Sequence, residues 1–269
     1  MKKTSLAHNI EIHNKIAKKY ESIHGEIYND TEQSRLKEKL QKAISYVQSG
    51  SKSLITLDFG CGAGNLTTHL TDLGCQVIAA DVSTGFLDLI SSRSYKKKVS
   101  PFHLNGVDLK GLEDNSVDMV AVYSVLHHVP DYLSLMGEFS RVLKPGGILF
   151  IDHEMSTSFW TPGEYVTFQK EMNKKTSLSL KKYFIPANYI NKIRRLCIDP
   201  KYQPEGDIHV FKDDHIEWDK IRSTLAEHNI TIVEEEDYLL YRRNYDLHMY
   251  EAWKKRVGDV HLLIGKKAL

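Results

Sequence analysis

Three cysteines in 269 residues, Cys61, Cys75 and Cys197, stand far apart with no C-x-x-C pair. That argues against a disulfide framework or a zinc site and fits reduced thiols in a cytoplasmic protein. No apolar run is long enough for a membrane-spanning helix, which needs roughly 18 residues or more. Charge of neither sign prevails: 36 Lys and Arg stand against 35 Asp and Glu, a formal net charge of +1. Such a balance gives no global pull toward nucleic acid or an anionic membrane, so partners have to be argued locally. Internal repeats and low-complexity tracts are lacking. The opening Met1-Lys2-Lys3-Thr4-Ser5-Leu6 is basic but has no apolar stretch after it, so no secretory signal is expected.

What is present begins with an apolar run that breaks into alternating glycines, Leu54-Ile55-Thr56-Leu57-Asp58-Phe59-Gly60-Cys61-Gly62-Ala63-Gly64. It reads as a buried strand, a tight turn and then a helix with Leu66, Leu70 and Leu73 on one face, ending at Gly74. Glycines there permit positive φ and remove the Cβ atoms that would hold a ligand off the backbone. Neither G-x-G-x-x-G nor G-x-x-x-x-G-K-S/T is matched. Instead Asp58-x-Gly60-x-Gly62-x-Gly64 is followed, seventeen residues after the last glycine, by Asp81 at the end of a second strand, Gln76-Val77-Ile78-Ala79-Ala80. A carboxylate in that place is positioned to accept hydrogen bonds from ribose hydroxyls.

These residues resemble the class I S-adenosylmethionine-dependent methyltransferases of the small-molecule, methyltransferase domain 11-like type. Their first motif is an acid-x-G-x-G-x-G turn, and their second is the acid matched by Asp81. Other segments are similar to the same family: Ile16-Ala17-Lys18-Lys19-Tyr20-Glu21 to its I-A-x-x-Y-D opening, with Glu21 in place of Asp, and Asn105-Gly106-Val107-Asp108-Leu109 to its D-A-x-D-L, with Asn105 in place of the first acid. Asn115-Ser116-Val117-Asp118 through Leu126-His127-His128-Val129 resembles N-S-F-D followed by L-H-H-V, and Lys144-Pro145-Gly146-Gly147 resembles the K-P-G-G turn. The resemblance covers roughly residues 10–154. It implies an α/β fold, a Rossmann-like doubly wound sheet of seven strands in the order 3-2-1-4-5-7-6 with the last strand antiparallel. Pro101 in the third strand agrees, because a proline cannot donate within a central ladder and that order puts the strand at an edge. The resemblance also implies S-adenosyl-L-methionine as cofactor, held by Tyr20, Asp58, Gly60, Cys61, Gly62, Gly64, Asp81, Val82, Asp108, Leu109, Tyr123 and Ser124.

Residue by residue, the expected organisation is an N-terminal helical lid over 1–50, the cofactor-binding core over 51–154, a helical insert over 155–212 that caps the acceptor, and a completion of the sheet over 213–269. Within the lid, helix is expected from Ile10 to about Gln48, broken near Gly25 and Asn29-Asp30-Thr31. Further along, Ser83-Thr84 caps a helix through Ser92, Val117 to Tyr123 is the fourth strand, Asp131 caps a helix that runs through Leu143, and Ile148 to Asp152 is the fifth strand. The insert is aromatic (Phe159, Trp160, Tyr165, Phe168, Tyr183, Phe184, Tyr189) and basic between Lys170 and Arg195, a solvated face or a surface for an acidic substrate. Asp213 or Asp214 is expected to cap a helix through His228, with strands over Ile230 to Leu240 and Asp259 to Lys266; Tyr245, Met249 and Trp253 between them form an apolar helical face.

The function expected from these features is methyl transfer to a small-molecule acceptor through an oxygen nucleophile. Methylation of RNA or a carrier-bound substrate is the alternative within the class, disfavoured by the absence of N-P-P-Y where Tyr123-Ser124-Val125-Leu126 stands. A non-catalytic S-adenosylmethionine-binding protein is the alternative outside it. His127, a few residues past the fourth strand, is the candidate general base, with His153 and His209 behind it.

Overall fold

The computed structural model describes residues 14, 17, 20, 24–48, 53–95, 98–161, 163–176 (side chains only through 172) and 216–269. Asn29 caps the first long helix, α1 (Asp30–Ser45), by accepting a hydrogen bond from Glu32 N, and Leu36, Leu40 and Ala43 form its buried stripe. β1 (Ile55–Phe59) then enters the glycine turn, and α2 (Asn65–Asp72) leaves it, its N-cap Gly64 held at φ +85°. β2 (Gln76–Asp81) is followed by α3 (Thr84–Ser92), capped by Ser83 as the sequence suggests. β3 (Val99–His103) carries Pro101, and β4 (Val117–Tyr123) is buried along its whole length, the mark of a strand covered on both faces.

The sheet runs β3-β2-β1-β4-β5-β7-β6, with β5 (Leu143–Met155), β6 (Ile230–Tyr238) and β7 (Val260–Lys267). The first five strands in that order are parallel, while β7 pairs antiparallel with β5 on one side and β6 on the other. One core lies on the side of α4 (Tyr132–Val142) and α7 (Trp218–Glu227), around Phe139, Met136 and Leu225; the other lies under α1 and α2.

Several boundaries differ from expectation. α4 stops at Val142 and Leu143 already belongs to β5, because Ser116 N donates to Val142 O and Leu143 pairs with Val117, drawing the chain into the sheet ahead of the Pro-Gly-Gly turn. α7 starts at Trp218 with Glu217 at its N-cap; Asp213 and Asp214, expected to cap it, lie outside the described residues. β6 ends at Tyr238 rather than Leu240, whose backbone N–H is taken by the buried Asp259 carboxylate at 2.7 Å.

The described part of the insert, α5 (Thr157–Trp160) and α6 (Glu164–Thr176), packs where β5 and β6 end and β7 begins, with Tyr165 OH donating to Asp259 Oδ2 at 3.1 Å. Tyr165, Phe168 and Met172 bury against Leu239 and against Tyr250, Trp253 and Val257 from α8 (Leu247–Trp253) and the turn after it, which confirms the apolar face read between the last two strands. The remaining insert aromatics, Tyr183, Phe184 and Tyr189, the basic run around Lys181 to Arg195, Cys197 and His209 lie outside the described residues, as do Ile10, Ile12, Ile16 and Ile23.

Candidate functional site

A cleft of about 1190 Å³ opens along the carboxyl ends of β3, β2, β1 and β4. Its floor is the glycine turn. Gly60 N and Cys61 N both donate to Ala80 O, at 2.8 and 2.9 Å, and Gly62 N donates to Asp81 Oδ2 at 2.9 Å, so the turn is stitched to the end of β2. The three glycines have positive φ for different reasons. A Cβ on Gly60 would lie 2.5 Å from Val125 Cγ2, and one on Gly64 would lie 2.6 Å from Ile90 Cδ1, whereas one on Gly62 would meet nothing nearer than 3.9 Å. Gly60 and Gly64 therefore serve packing against the β4 loop and α3, while Gly62 keeps the backbone bare toward the cleft.

Asp58, at the end of β1, lines the cleft but is spent internally: Thr67 Oγ1 donates to its Oδ2 at 2.5 Å, and burial pushes its carboxyl up to about 7. Asp81 and Val82 stand on the wall, and Asp81 Oδ1 accepts from Ser83 N at 2.8 Å. Asp108 is held by the residue that replaces the usual acid: Asn105 Nδ2 donates to Asp108 Oδ1 at 2.7 Å. That bond, with the Lys110 backbone and ammonium, holds the Asp108 carboxyl down at about 2. Leu109, by contrast, is fully buried in the core, with its N–H donated to Glu138 at 2.9 Å; the wall here is made by Gly106, Val107 and Asp108.

At the β4 end, Tyr123 and Ser124 both line the cleft, Ser124 in the left-handed region at φ +58°. Tyr123 OH donates to Glu32 Oε1 at 3.0 Å. Glu32 belongs to a buried network: Arg35 Nη2 reaches Glu32 Oε1 at 2.5 Å and Asp152 Oδ2 at 2.8 Å, Tyr238 OH donates to Asp152 Oδ1 at 2.9 Å, and the Arg35 guanidinium lies 3.7 Å from the Tyr238 ring centroid. This ties α1 to the ends of β4, β5 and β6. His153 follows, on a bulge in β5 and at φ +63°, its ring stacked 4.7 Å from Tyr123. It is buried, neither ring nitrogen has a hydrogen-bond partner among the described residues, and desolvation pulls its pKa down.

The loop after β4 is fixed by Glu154. Its Oε1 accepts from Val125 N and Leu126 N at 2.7 and 2.6 Å, and its Oε2 lies 2.7 Å from His127 Nδ1. His127 is thus bound into the loop, and its neighbour His128 forms the wall with Val129 and Pro130.

Ten of the twelve expected binding residues line one cleft: Tyr20, Asp58, Gly60, Cys61, Gly62, Asp81, Val82, Asp108, Tyr123 and Ser124. Gly64 and Leu109 do not. Sequence reading missed Ile27, Tyr28, Asn65, Phe86 and His128; of these only Asn65, next to the last glycine, and His128, in the L-H-H-V phrase, carried a local signal.

Residues 57–151 match the family model described as a methyltransferase domain. The chain is 35% identical over 97 residues to a ubiquinone biosynthesis O-methyltransferase of Xanthomonas campestris, covering 35% of this chain and 41% of that protein. It is 33% identical over 138 residues to a demethylmenaquinone methyltransferase of Staphylococcus epidermidis, covering 50% of this chain and 55% of that one. The matches thus span only about half the length of these relatives. Among solved structures, an S-adenosylmethionine-dependent methyltransferase from Mesorhizobium loti superposes with a TM-score of 0.56 at 15% identity, over 86% of this chain and 96% of that one. One from Methanosarcina mazei gives 0.52 at 19% identity, over 84% and 96%. At such identities the likeness is one of fold.

Proposed function

From the match of residues 57–151 to a methyltransferase domain, we propose that this protein transfers a methyl group from S-adenosylmethionine to a small-molecule acceptor. The observation that carries the reading is the joining of Asp81 to the glycine turn, which puts one carboxylate and a bare backbone on the same wall of a cleft. The residues fit the cofactor: acids stand at the ends of β1 and β2, Val107 after β3 and Val129 and Pro130 after β4 offer an apolar slot for a flat base, and Gly62 leaves room for close approach. When bound, S-adenosylmethionine supplies a sulfonium-activated methyl group; the chain's task is to align the acceptor and exclude water. Tyr20, Tyr28 and Phe86 on the cleft wall serve that exclusion. Calorimetric titration with S-adenosylhomocysteine is expected to show binding that Asp81→Ala weakens roughly tenfold to a hundredfold, as expected for losing hydrogen bonds to a charged group. Unchanged affinity in the variant refutes the ribose assignment, and a preference for NAD refutes the class.

An oxygen as the accepting atom is supported by the name of the Xanthomonas relative, an O-methyltransferase, and by the His127–Glu154 pair. A carboxylate on Nδ1 favours the tautomer with the proton on that nitrogen, in which Nε2 is the basic atom of the ring. With a soluble hydroquinone as acceptor, His127→Ala is expected to lower kcat roughly a hundredfold while S-adenosylhomocysteine affinity stays near wild type. A near-normal kcat would mean that His127 only braces the loop.

A further inference from the structure

Asn14, Ala17 and Tyr20 lie against the head of α3, beside the wall that carries Asp81. Ala17 is buried with Ala63 of the glycine turn and Phe86 of α3, and Tyr20, which lines the cleft, sets its ring edge-on to Phe86 at 5.4 Å. Asn14 adds polar bonds to this contact: its Oδ1 accepts from Ser83 Oγ at 2.6 Å and from Gly85 N at 2.9 Å. The Gly85 amide is one of the first-turn N–H groups that a helix cannot bond for itself. α3 thus has two caps, Ser83 on Phe86 N and, from 71 residues away in the chain, Asn14 on Gly85 N.

Gly85 is matched to this neighbour. A Cβ there would come 3.0 Å from Asn14 Cα and 3.1 Å from both Asn14 O and Asn14 Oδ1, so the nearest atoms it would meet all belong to that residue. Glycine is a poorer helix residue than alanine, and this one, in the first turn of α3, has no left-handed φ to justify it. The close approach of Asn14 is the requirement it meets. Ser83 carries the contact onward: its backbone N–H donates to Asp81 Oδ1 at 2.8 Å while its hydroxyl holds Asn14, and Asp81 Oδ2 takes Gly62 N at 2.9 Å. One run of hydrogen bonds therefore joins Asn14 to the glycine turn through Ser83 and Asp81.

We propose that Asn14 is a positioning residue, a latch that seats the N-terminal residues over the bound cofactor and is coupled through Ser83 to the Asp81 carboxylate. This rests on the cofactor reading above. Two measurements test it: the dissociation rate of S-adenosylhomocysteine by stopped flow, and hydrogen exchange at the Gly85 amide by NMR, with the Phe86 amide, capped by Ser83, as internal reference. In the wild type, Gly85 is expected to gain protection when S-adenosylhomocysteine binds. Asn14→Ala is expected to speed dissociation about tenfold, as for losing one or two hydrogen bonds, and to remove the protection at Gly85 while Phe86 keeps its own. Asn14→Asp keeps an acceptor oxygen beside the same hydroxyl and N–H, at the helix end that favours negative charge, and is expected to stay within about threefold of the wild-type rate. Gly85→Ala is expected to speed dissociation severalfold without lowering Tm, because alanine is the better helix residue; a merely structural role for Gly85 would move the two together. Unchanged dissociation in Asn14→Ala, a Gly85 amide indifferent to ligand, or a Tm that falls along with affinity in Gly85→Ala overturns the latch and leaves the cofactor reading intact. Failure of the wild-type protein to bind S-adenosylhomocysteine removes the cofactor reading and the latch together.

Discussion

Replacing Arg35 by methionine is expected to destabilise the protein by about 3–5 kcal/mol, the range for breaking a buried ion pair from one side. The guanidinium lies between Glu32 and Asp152, whose side chains are 2% and 0% exposed, and removing it strands both carboxylates. Its face also covers the Tyr238 ring. Urea unfolding at neutral pH measures the loss, and a drop of roughly 10 °C in Tm should accompany it. Adding Glu32→Gln and Asp152→Asn to the variant should recover most of the stability, because the cost lies in the uncompensated charges more than in the missing contact. A loss below about 1 kcal/mol would show that water reaches the two carboxylates and that the network is not a closed one.

The second large effect is a pH dependence at Asp58. Burial raises its carboxyl from 3.8 to about 7 in the folded chain, with Asp81 adding to the rise and Thr67 opposing it. Between those values the folded state binds a proton that the unfolded state has released, so this group's contribution to stability is full below about pH 4 and falls as pH rises toward 7. Asn at position 58 cannot ionise. The stability of Asp58→Asn relative to wild type should therefore climb across that window, by at most about 4 kcal/mol at 1.36 kcal/mol per unit, and level off above it. Denaturant titrations of both proteins at several pH values give the difference directly. A flat difference would mean that Asp58 is ionised throughout, stabilised by Thr67 alone.

How much of this was legible depended on how local the cause was. β4 was readable to the residue because Val117–Tyr123 is apolar between clear turn residues, and Ser83 was readable as a cap because its bond to Phe86 N lies within one turn. The glycine turn and Asp81 announced themselves by spacing, and the structure joins them with one hydrogen bond. Leu109 was misread because the motif names a pair of residues while the chain turns only the first of them outward; the second fills the core. Glu154 left no trace in the sequence, its partners lying 27–29 residues away, and although Arg35 meets Glu32 one helical turn off, its link to Asp152 spans 117 residues, a distance over which no periodicity runs. The strained His153 was visible only as a histidine after the fifth strand, since nothing in the phrase Ile151-Asp152-His153-Glu154 signals a left-handed residue.

The placing of β7 has a bearing on how the chain is made. Strand pairs formed early in synthesis, β1 with β2 and β4 with β5, can assemble as soon as their residues emerge, but β7 ends at Lys267 and belongs inside the sheet, between β5 and β6. Until it arrives, the apolar edge of β5 (Ile148 to Ile151) has no neighbour on that side, and β6 has no neighbour to join it to the rest. A nascent chain stalled shortly before residue 260 would hold an open parallel sheet with an exposed hydrophobic edge, the kind of surface that recruits chaperones or aggregates. Emergence of residues 260–267 thus sets the moment at which the sheet closes, and this non-local step is where folding of the sheet should be slowest.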